Sequence, residues 1–577
     1  MKSVLKSVGT SVAIALTATQ TQAQPLILDD TFAANIGQHL QFLDKHSLFS
    51  GTVLVAEGDR VVFSKGYGLA SRELAVPNTP ATTFRIASIT KQFTAAAVLL
   101  LQDRGKVKLE DRAIAHLPEL PKAWSALTVR QLLDHTSGIP NYTDFVDLRS
   151  FGKSAQTPRT MVKLSAERKS EFAPGQSYRY NNSAYIVAGQ LIEKLSGKSY
   201  ADFIEQDLLR PHGLSESGYA HNEVIIPNLA QGYTMDGVRT VPAQFLDMSV
   251  PYAGGALYAS ARDLHRWNRL LYGDARAGQK KPGAILSPAA LAEMVEAGTR
   301  RYGLGIGVER TPYGTLYTHT GGMPGVNTVL HYQPDTSLTV VVLANNDAVD
   351  ASAIANGILH YAHDRSLKLA HEYAFLADAG LTHESALLGR YSDGQNRAGQ
   401  MRIIDGALHV VPDGSAVSRL FAVGPLQYVS PVTLTDFVFK MDAGGAVVSL
   451  ETHLGGRRVT LKREPPPKFD AQPLWLRGSM NAWGTAQKFV AATPQVLTTR
   501  LTLGAGAHQF KIATEDWRTI DLGAPSQARE NVVPGRAMPL TVRGANLRLF
   551  LDDPATLEFR IDATNLEAPI LMVTPMR

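Results

Sequence analysis

A serine and a lysine stand three residues apart in Ser88-Ile89-Thr90-Lys91, where apolar spacing predicts that a helix begins and continues over residues 90–102. The first amides of a helix favour negative charge near the serine oxygen. A spacing of three places the lysine amine about one turn away, beside the hydroxyl. The pattern thus suits a serine nucleophile with a lysine that helps remove its proton. A helix-capping serine followed by a solvated lysine would give the same four residues, and this motif alone leaves that alternative open.

Two later segments carry polar groups that suit the same chemistry. Tyr180-Asn181-Asn182 precedes a helix predicted over residues 183–195 and ending at Gly197. A tyrosine there can shuttle a proton when cations lower its pKa, and an asparagine can hold a substrate amide. His319-Thr320-Gly321-Gly322 lies in a strand-like run that begins at Gly314, and glycine at 321 would let a ligand approach the backbone. Taken alone, the first of these segments favours a strand-end aromatic with a capping asparagine.

Other catalytic motifs receive little support. The chain holds neither a Gly-x-Ser-x-Gly elbow nor a His-Glu-x-x-His pair. His360 and His363 stand three apart on a predicted helix without a third ligand nearby, so we interpret them as a surface pair rather than a metal site. The absence of cysteine excludes disulfides, thiolate zinc sites, iron–sulfur clusters and a cysteine nucleophile. We therefore expect no metal and no cofactor.

Composition and charge describe a globular protein. The chain has 577 residues, of which 44% are hydrophobic and 19% charged, and its length predicts about three or four domains. A net charge of +5 without a long basic run gives no support for a nucleic-acid partner.

The amino terminus has the pattern of an export signal. Lys2 and Lys6 precede an apolar stretch over residues 8–18, and Thr21-Gln22-Ala23 offers small residues for cleavage, so residues 1–23 are predicted to be a signal peptide. We expect a periplasmic or secreted protein. No later segment reaches the ~18 apolar residues that a membrane span needs, so none is predicted.

The chain divides into three folded parts. Residues 24–370 alternate helices with strands, among them 51–56, 60–64 and a return to strand over 329–344. Residues 371–463 show short alternating runs between turns, which predicts a small antiparallel β domain. A proline-rich linker follows over 464–470, and residues 471–577 are again β-rich.

The serine, tyrosine and histidine segments, in that order, resemble the penicillin-recognising serine hydrolases: class C β-lactamases, D-alanyl-D-alanine carboxypeptidases, D-aminopeptidases and related esterases. Segments 132–140, 172–175, 253–258 and 302–305 resemble further landmarks of that family. The resemblance covers roughly residues 30–365. It implies an α/β (α+β) catalytic domain of the serine β-lactamase type, an antiparallel sheet flanked by helices, that works through a serine acyl-enzyme.

Carried over by position, the resemblance implies roles for individual residues. Ser88 is the nucleophile, Lys91 its proton-relay partner and Tyr180 the general base, while His135 resembles a framework residue. The oxyanion hole would be formed by the backbone N–H groups of Ser88 and Gly322. The substrate-binding residues that the resemblance implies are Asn182, His319, Thr320 and Gly321.

His319 departs from the class C pattern, in which lysine stands at this place. Histidine, with an ordinary pKa of ~6.5, is mostly neutral at pH 7, whereas lysine is a cation. Family members with histidine here look more like D-aminopeptidases, D-peptidases and esterases. The resemblance therefore favours acyl transfer on such substrates over efficient β-lactam hydrolysis.

The two trailing domains also resemble known modules. Residues 385–463 resemble the lipocalin-like β barrel often appended to this hydrolase family. Segments 474–483, 506–513 and 515–517 are similar to immunoglobulin-like carbohydrate-binding modules of pullulanases, branching enzymes and glycogen-binding subunits. That similarity implies sugar stacking by Trp483 and Trp517 and hydroxyl binding by Lys511, hence a polysaccharide partner. The alternative is that the tryptophans fill the core of the sandwich.

Together, these patterns predict an exported serine hydrolase that forms an acyl-enzyme on amide or ester substrates. The expected substrates are small molecules or peptides, such as D-amino-acid peptides or β-lactam-like compounds. Two alternatives remain from the sequence: a short-chain carboxylesterase, and a catalytically silent protein that docks on a glycan.

Overall fold

The computed structural model describes residues 25–576 apart from 237–238, 274–284, 377–383, 396, 405, 414–416, 455–456, 466–472, 494, 518, 525–530 and 566–568. The predicted signal peptide and most of the predicted linker lie outside the described residues. Within them, no helix is both long and apolar enough to cross a membrane.

The first domain mixes helices with a central sheet. Its strands are β1 (Gly51–Glu57), β2 (Arg60–Tyr67), β3 (Leu69–Ser71), β4 (Val76–Pro77), β5 (Thr83–Arg85), β6 (Gly218–Tyr219), β7 (Tyr233–Asp236), β8 (Arg239–Pro242), β9 (Leu257–Ser260), β10 (Gly307–Thr311), β11 (Gly314–Met323), β12 (Val326–Gln333) and β13 (Leu338–Ala344). Its α-helices are α1 (Asp30–Lys45), α2 (Thr90–Asp103), α3 (Ala113–His116), α4 (Val129–Leu133), α5 (Leu148–Phe151), α6 (Pro158–Ala166), α7 (Asn182–Ser196), α8 (Tyr200–Phe203), α9 (Ala261–Tyr272), α10 (Pro288–Val295) and α11 (Ala351–His363).

The central sheet is antiparallel, with the strand order β10-β11-β12-β13-β1-β2. Helices cover both of its faces, which is why the valine-rich strands are buried throughout. In β1, Val53 and Val55 face the apolar cluster formed with α1 and α11, whereas Leu54 faces the larger cluster that contains α2 and α7. The predicted antiparallel sheet flanked by helices is confirmed.

The two helices that carry site residues begin and end close to their predicted bounds. A short 3₁₀ turn at Ala87–Ile89 leads directly into α2, predicted over 90–102. Asn181 caps α7 by accepting a hydrogen bond from the amide of Ala184, and Gly197 ends it with a left-handed φ of 73°. The strands predicted over 51–56, 60–64 and 329–344 are observed as β1, β2, β12 and β13.

In the residues that the structure describes, the middle domain forms one antiparallel sheet of nine strands. They are β14 (Gly389–Ser392), β15 (Ala398–Ile404), β16 (Ala407–Pro412), β17 (Ser418–Arg419), β18 (Phe421–Gly424), β19 (Gln427–Ser430), β20 (Thr435–Met441), β21 (Val447–Leu454) and β22 (Arg457–Arg463). The strand order is β17-β16-β15-β14-β22-β21-β20-β19-β18. Strands β17 and β18 follow each other along the chain, yet they lie at opposite edges of the sheet. Only Leu420 separates these edges along the chain, so the sheet curls into a barrel, and a 2.6 Å contact between the hydroxyls of Ser418 and Ser430 spans the closure.

The third domain packs two sheets face to face. Its strands are β23 (Trp475–Gly478), β24 (Gln487–Lys488), β25 (Val490–Thr493), β26 (Val496–Leu503), β27 (Gly506–Ala513), β28 (Asp521–Gly523), β29 (Asn531–Val532), β30 (Met538–Pro539), β31 (Thr541–Val542), β32 (Leu547–Leu551), β33 (Ala555–Asp562) and β34 (Ile570–Pro575). One sheet is built around β23, β27 and β32, and the other has the order β25-β26-β33-β34-β30. Phe510 of the first sheet meets Phe559 of the second edge to face at 5.5 Å, so the predicted all-β sandwich is present.

Polar side chains join the barrel to the third domain. Buried Arg390 pairs with Asp413 of the barrel and with Glu464, and also donates to the carbonyl of Val542 at 3.2 Å. Arg402 donates to the hydroxyl of Thr541 at 3.1 Å. The third domain is therefore docked against the barrel through the segment around β31.

Candidate active site

Ser88 lies half-buried in the 3₁₀ turn before α2, at the edge of strand β11. The preceding residue, Ala87, has a φ of 47°, a left-handed conformation that costs free energy and that surrounding structure must hold in place. A Cβ atom at Gly321 would lie 2.3 Å from the carbonyl oxygen of Ile86. Glycine at 321 thus lets β11 pack against the turn that carries Ser88. The sequence suggested a different reason for glycine at this position, namely that a ligand approaches the strand backbone.

Lys91 is completely buried beside Ser88. Its Nζ atom lies 3.1 Å from Oγ of Ser88 and donates to the carbonyl of Gly254 at 2.7 Å. Burial lowers the pKa of Lys91 to about 7, because the charged ammonium loses its hydration. A substantial fraction of the amine is consequently neutral near pH 7 and can accept the proton of the serine. The solvated-lysine alternative does not describe this side chain.

The ring of Tyr180 lies 4.9 Å from the Lys91 ammonium, and its hydroxyl interacts with the side chain of Ser88. Burial raises the pKa of Tyr180 above its ordinary value, and the hydrogen bond with Ser88 only partly opposes this effect. The sequence-based argument expected cations to lower this pKa. The shift is upward because the phenol is desolvated by burial, and the neighbouring Tyr178 and Tyr142 add to it. A protonated Tyr180 can pass a proton on, whereas Lys91 is better suited to remove one.

His319 is buried next to Tyr180 and makes two hydrogen bonds. Its Nδ1 atom lies 2.6 Å from the carbonyl oxygen of Thr320, which can only accept, so Nδ1 carries the hydrogen. The Nε2 atom then accepts from the hydroxyl of Tyr302 at 2.8 Å. Burial, reinforced by the charge of Lys91, lowers the pKa of His319 to about 3. The site therefore holds an uncharged imidazole.

His135 supports the loop before α7 that carries Tyr180. Its Nδ1 atom accepts a 3.0 Å hydrogen bond from the amide of Asn181, and its ring lies 4.3 Å from the ring of Tyr180. Burial lowers the pKa of His135 well below its ordinary value, so this imidazole is also neutral. These contacts agree with the expected framework role.

Asn182 is held at the start of α7 by two residues that the sequence analysis did not single out. Its backbone amide donates to the side-chain oxygen of Asn141 at 2.9 Å, and its Nδ2 lies 3.3 Å from the hydroxyl of Thr143. Asn141 and Thr143 come just after segment 132–140. Their position next to this landmark segment is the only sequence feature that could have pointed to them. Tyr302 was likewise known only as part of a landmark segment.

A cavity of about 100 Å³ opens beside these groups. Ser88, Asn182 and Gly322 contribute to its wall, and a Cβ at Gly322 would meet no atom within 4 Å. The side chains lining it carry no charge, and its apolar wall is formed by Leu148, Leu246, Val250, Pro251 and Met323. The structure thus brings Ser88, Lys91, Tyr180, Asn182, His319 and Gly322 together. The side chain of Thr320 is exposed, and its carbonyl oxygen accepts the hydrogen bond from Nδ1 of His319.

In the third domain, Trp483 and Trp517 lie with their ring centroids 6.1 Å apart. Both are half-buried and lie outside the apolar core, which is filled by residues such as Phe510 and Phe559. The core alternative for the tryptophans is therefore wrong. Arg477 lies 3.9 Å from the ring of Trp517 and donates to the carbonyl of Trp483, whereas Lys511 pairs with Asp521 at 2.8 Å.

The proposed surface pair of histidines needs correction. His363 is buried, stacks on Tyr313 and lies 2.8 Å from the side-chain oxygen of Gln333. His360 alone is at the surface, 3.7 Å from Asp364. The end of α11 packs against strand β12, which buries the second ring. The described residues contain no group of three or more metal-ligating side chains.

Comparison with known families agrees with this architecture. The Beta-lactamase family model matches residues 32–362, so the chain belongs to that family. It is a serine hydrolase of the superfamily that includes β-lactamases and penicillin-binding proteins.

Individual relatives cover the same part of the chain. "Putative penicillin-binding protein PbpX" of Bacillus subtilis (strain 168) is 30% identical over 298 residues, 52% of this chain and 71% of that protein. "Penicillin-binding protein 4*" of the same organism is 29% identical and covers 54% and 72%. A solved structure, the octameric penicillin-binding protein homologue from Pyrococcus abyssi, is 22% identical with a TM-score of 0.51, covering 74% of this chain and 99% of its own. That similarity concerns the fold alone. It covers a larger share of this chain than residues 32–362, which the family model matches.

Proposed function

We propose that the protein is an exported serine hydrolase that forms an acyl-enzyme on amide or ester bonds. The observation that carries this proposal is the 3.1 Å distance between Ser88 Oγ and the buried Nζ of Lys91, whose pKa falls to about 7. A nucleophile needs a base whose pKa lies close to the working pH, and this lysine meets that requirement.

The reaction has two halves. Neutral Lys91 takes the proton of Ser88 while Oγ bonds to the substrate carbonyl carbon, whose oxygen becomes an oxyanion. The N–H groups of Ser88 and Gly322 stabilise that oxyanion, each by a few kcal/mol. As the bond to the leaving nitrogen or oxygen breaks, the proton passes from Lys91 through the Tyr180 hydroxyl to the leaving group. Water then attacks the ester carbonyl while Lys91 takes its proton, and as the bond to Oγ breaks Lys91 returns that proton to Ser88 and the acid product leaves.

The surroundings of Ser88 favour substrates without a carboxylate next to the scissile bond. His319 is neutral, and the side chains lining the cavity carry no charge. A free carboxylate would lose its hydration there without gaining a fixed cation. Apolar residues in the wall favour a hydrophobic acyl or amino-acid side chain. Amides and esters of D-amino acids and capped D-peptides fit this environment.

Export rests on the pattern of residues 1–23. Glycan binding by residues 471–577 is a second proposed activity, supported by the two indole rings that lie together outside the core of the sandwich. Aromatic rings placed in this way can stack on the C–H faces of sugars.

A covalent probe tests the hydrolase. A fluorophosphonate should form one adduct with the wild type, on the peptide that contains Ser88. The control variant Ser125→Ala, which removes an exposed serine elsewhere, should form the same adduct. Ser88→Ala should keep its melting temperature but lose the adduct and nearly all turnover. Retention of more than about a tenth of the activity by folded Ser88→Ala would overturn the assignment.

The substrate class needs a parallel panel. D-Aminoacyl amides, D-Ala-D-Ala peptides, nitrocefin and short-chain p-nitrophenyl esters should be compared by kcat/KM. We expect amides and esters to exceed both the free-carboxylate peptides and nitrocefin. A preference for the carboxylate-bearing peptides would contradict the proposed substrate class while leaving the serine mechanism intact.

A further inference from the structure

The barrel contains a cavity of its own, of about 430 Å³, which shares no lining residue with the cavity at Ser88. Its wall is mostly apolar and includes Tyr391, Met401, Val410, Phe437, Leu450 and Leu461. A pocket of this size and character falls in the range of small-molecule sites, which often lie in the mouths of barrels.

Strand register places these side chains inside the barrel. Met401 is paired with Val410, and Leu450 with Leu461, in neighbouring strands. Directly paired residues point to the same face of a sheet, and all four belong to the apolar cluster of this domain. Phe437 is paired with Thr452, which therefore also points inward.

One end of the barrel is filled and the other is not. Phe439 meets the rings of Tyr391 and Tyr428 edge to face, each at 5.8 Å, and closes the interior on that side. Beyond Phe437, the interior is lined by smaller groups, among them Gly399, Ser418 and Thr435. The cavity results from this change from large to small side chains.

A buried hydroxyl in the wall has no partner. Thr452 is 3% exposed, and in the part of the chain that the structure describes, no group accepts from or donates to its Oγ1 atom. An unsatisfied buried hydroxyl is costly, so a ligand group that bonded it would gain free energy. In contrast, Ser418 contacts Ser430, and Thr435 donates to the carbonyl of Thr433.

The charges at the mouth are largely engaged within the protein. Asp413 forms two hydrogen bonds with Arg390, and Asp350 accepts from the amide of Ala353 at the start of α11. Arg397 is exposed to solvent. A charged group on a ligand would therefore lose hydration inside the barrel without finding a buried counter-charge.

We infer that the barrel binds a small, mostly apolar molecule with one uncharged polar group, and that this group bonds the hydroxyl of Thr452. The binding site is separate from the hydrolytic site and does not depend on the activity proposed for Ser88.

The full-length protein can be titrated with N-phenyl-1-naphthylamine, an uncharged apolar dye whose fluorescence rises in dry surroundings. We expect saturable binding that persists after Ser88 is blocked with a fluorophosphonate. Two neighbouring residues of β22 provide a matched pair, since Leu461 faces inward and Lys462 is exposed. Leu461→Trp should weaken dye binding at least tenfold, whereas Lys462→Trp should not change it. Equal binding by both folded variants, or no saturable binding by the wild type, would overturn the inference.

Thr452→Val keeps the shape of the side chain and provides a second test if Leu461→Trp does not fold. Displacement of the dye by 1-octanol should require about threefold to tenfold more alcohol in Thr452→Val than in the wild type, because the hydroxyl partner is lost. Hydrolysis should be the same in both proteins. An unchanged displacement curve would show that Thr452 does not bind the polar group and would contradict the inference.

Discussion

The hydroxyl of Tyr302 lies 2.8 Å from Nε2 of His319 and donates to it. Because the other ring nitrogen donates to the carbonyl of Thr320, the imidazole has one tautomer and no charge. The strand next to the nucleophile thus presents a neutral ring where class C β-lactamases, which this chain resembles, carry a lysine. This pair of residues holds a neutral group beside Ser88, where we propose that the substrate binds.

Replacing His319 by lysine should change substrate preference. A cation at this strand would pair with a carboxylate next to the scissile bond, a contact of about 1.5–3 kcal/mol. We expect His319→Lys to raise the kcat/KM ratio of carboxylate-bearing over amide-capped substrates by about tenfold or more. His319→Gln, which adds no charge, is the control and should leave the ratio close to that of the wild type. An unchanged ratio in His319→Lys would refute the electrostatic role.

The pH dependence of acylation should follow Lys91. Its pKa is lowered to about 7, so the basic form is present above pH 7 and is lost as the pH falls through 7. We expect kcat/KM to fall about tenfold per pH unit below that point. His319→Gln should keep this acid limb, because the pKa of His319 lies near 3 and cannot account for it. If the acid limb vanished in His319→Gln, the assignment of the base to Lys91 would be wrong.

The two neighbouring glycines of β11 should respond differently to alanine. A Cβ at Gly321 would lie 2.3 Å from the carbonyl oxygen of Ile86, whereas a Cβ at Gly322 meets nothing within 4 Å. Gly321→Ala should lower the free energy of unfolding by about 1–3 kcal/mol through overpacking and should impair labelling of Ser88. The free energy of unfolding of Gly322→Ala should lie within about 0.5 kcal/mol of the wild-type value. Chemical denaturation measures both, and equal stability of the variants would contradict the packing role of Gly321.

The paired tryptophans should matter for sugar binding more than for stability. Both lie outside the core, so Trp483→Ala and Trp517→Ala should cost much less than the 3–5 kcal/mol typical of a core aromatic. Trp517→Ala also loses the stacked Arg477, a contact of about 0.5–1 kcal/mol. Affinity electrophoresis in starch or glycogen should show weaker retention of both variants. Failure of the wild type to be retained by α-glucan, cellulose or peptidoglycan would leave this domain without a glycan role.

Local patterns were sufficient where neighbours along the chain determine the contact. The spacing of Ser88 and Lys91 on a helix predicted that their side chains meet, and two short β-like runs separated by a turn predicted β1 and β2. Burial of Lys91 could not be predicted in this way, since Nζ donates to Gly254, 163 residues away. The upward shift of the Tyr180 pKa likewise depends on packing from several distant segments.

Contacts between strands and loops needed the three-dimensional structure. The pairing of Tyr302 with His319 depends on how the loop before β10 folds over the sheet. The cavity in the barrel depends on strand register, because a shift by one residue would turn Met401 and Leu461 outward. Sequence patterns predicted that these strands exist, but their pairing decides which side chains face inward.

Arg390 limits how freely the third domain can move. Its guanidinium pairs with Asp413 and Glu464 and also donates to the carbonyl of Val542, so separation of the third domain would break this last hydrogen bond. A polymer held by the tryptophans would therefore be anchored to a domain that is itself hydrogen-bonded to the barrel. Access to an insoluble substrate would then depend on the shape of the whole molecule rather than on the length of a flexible tether.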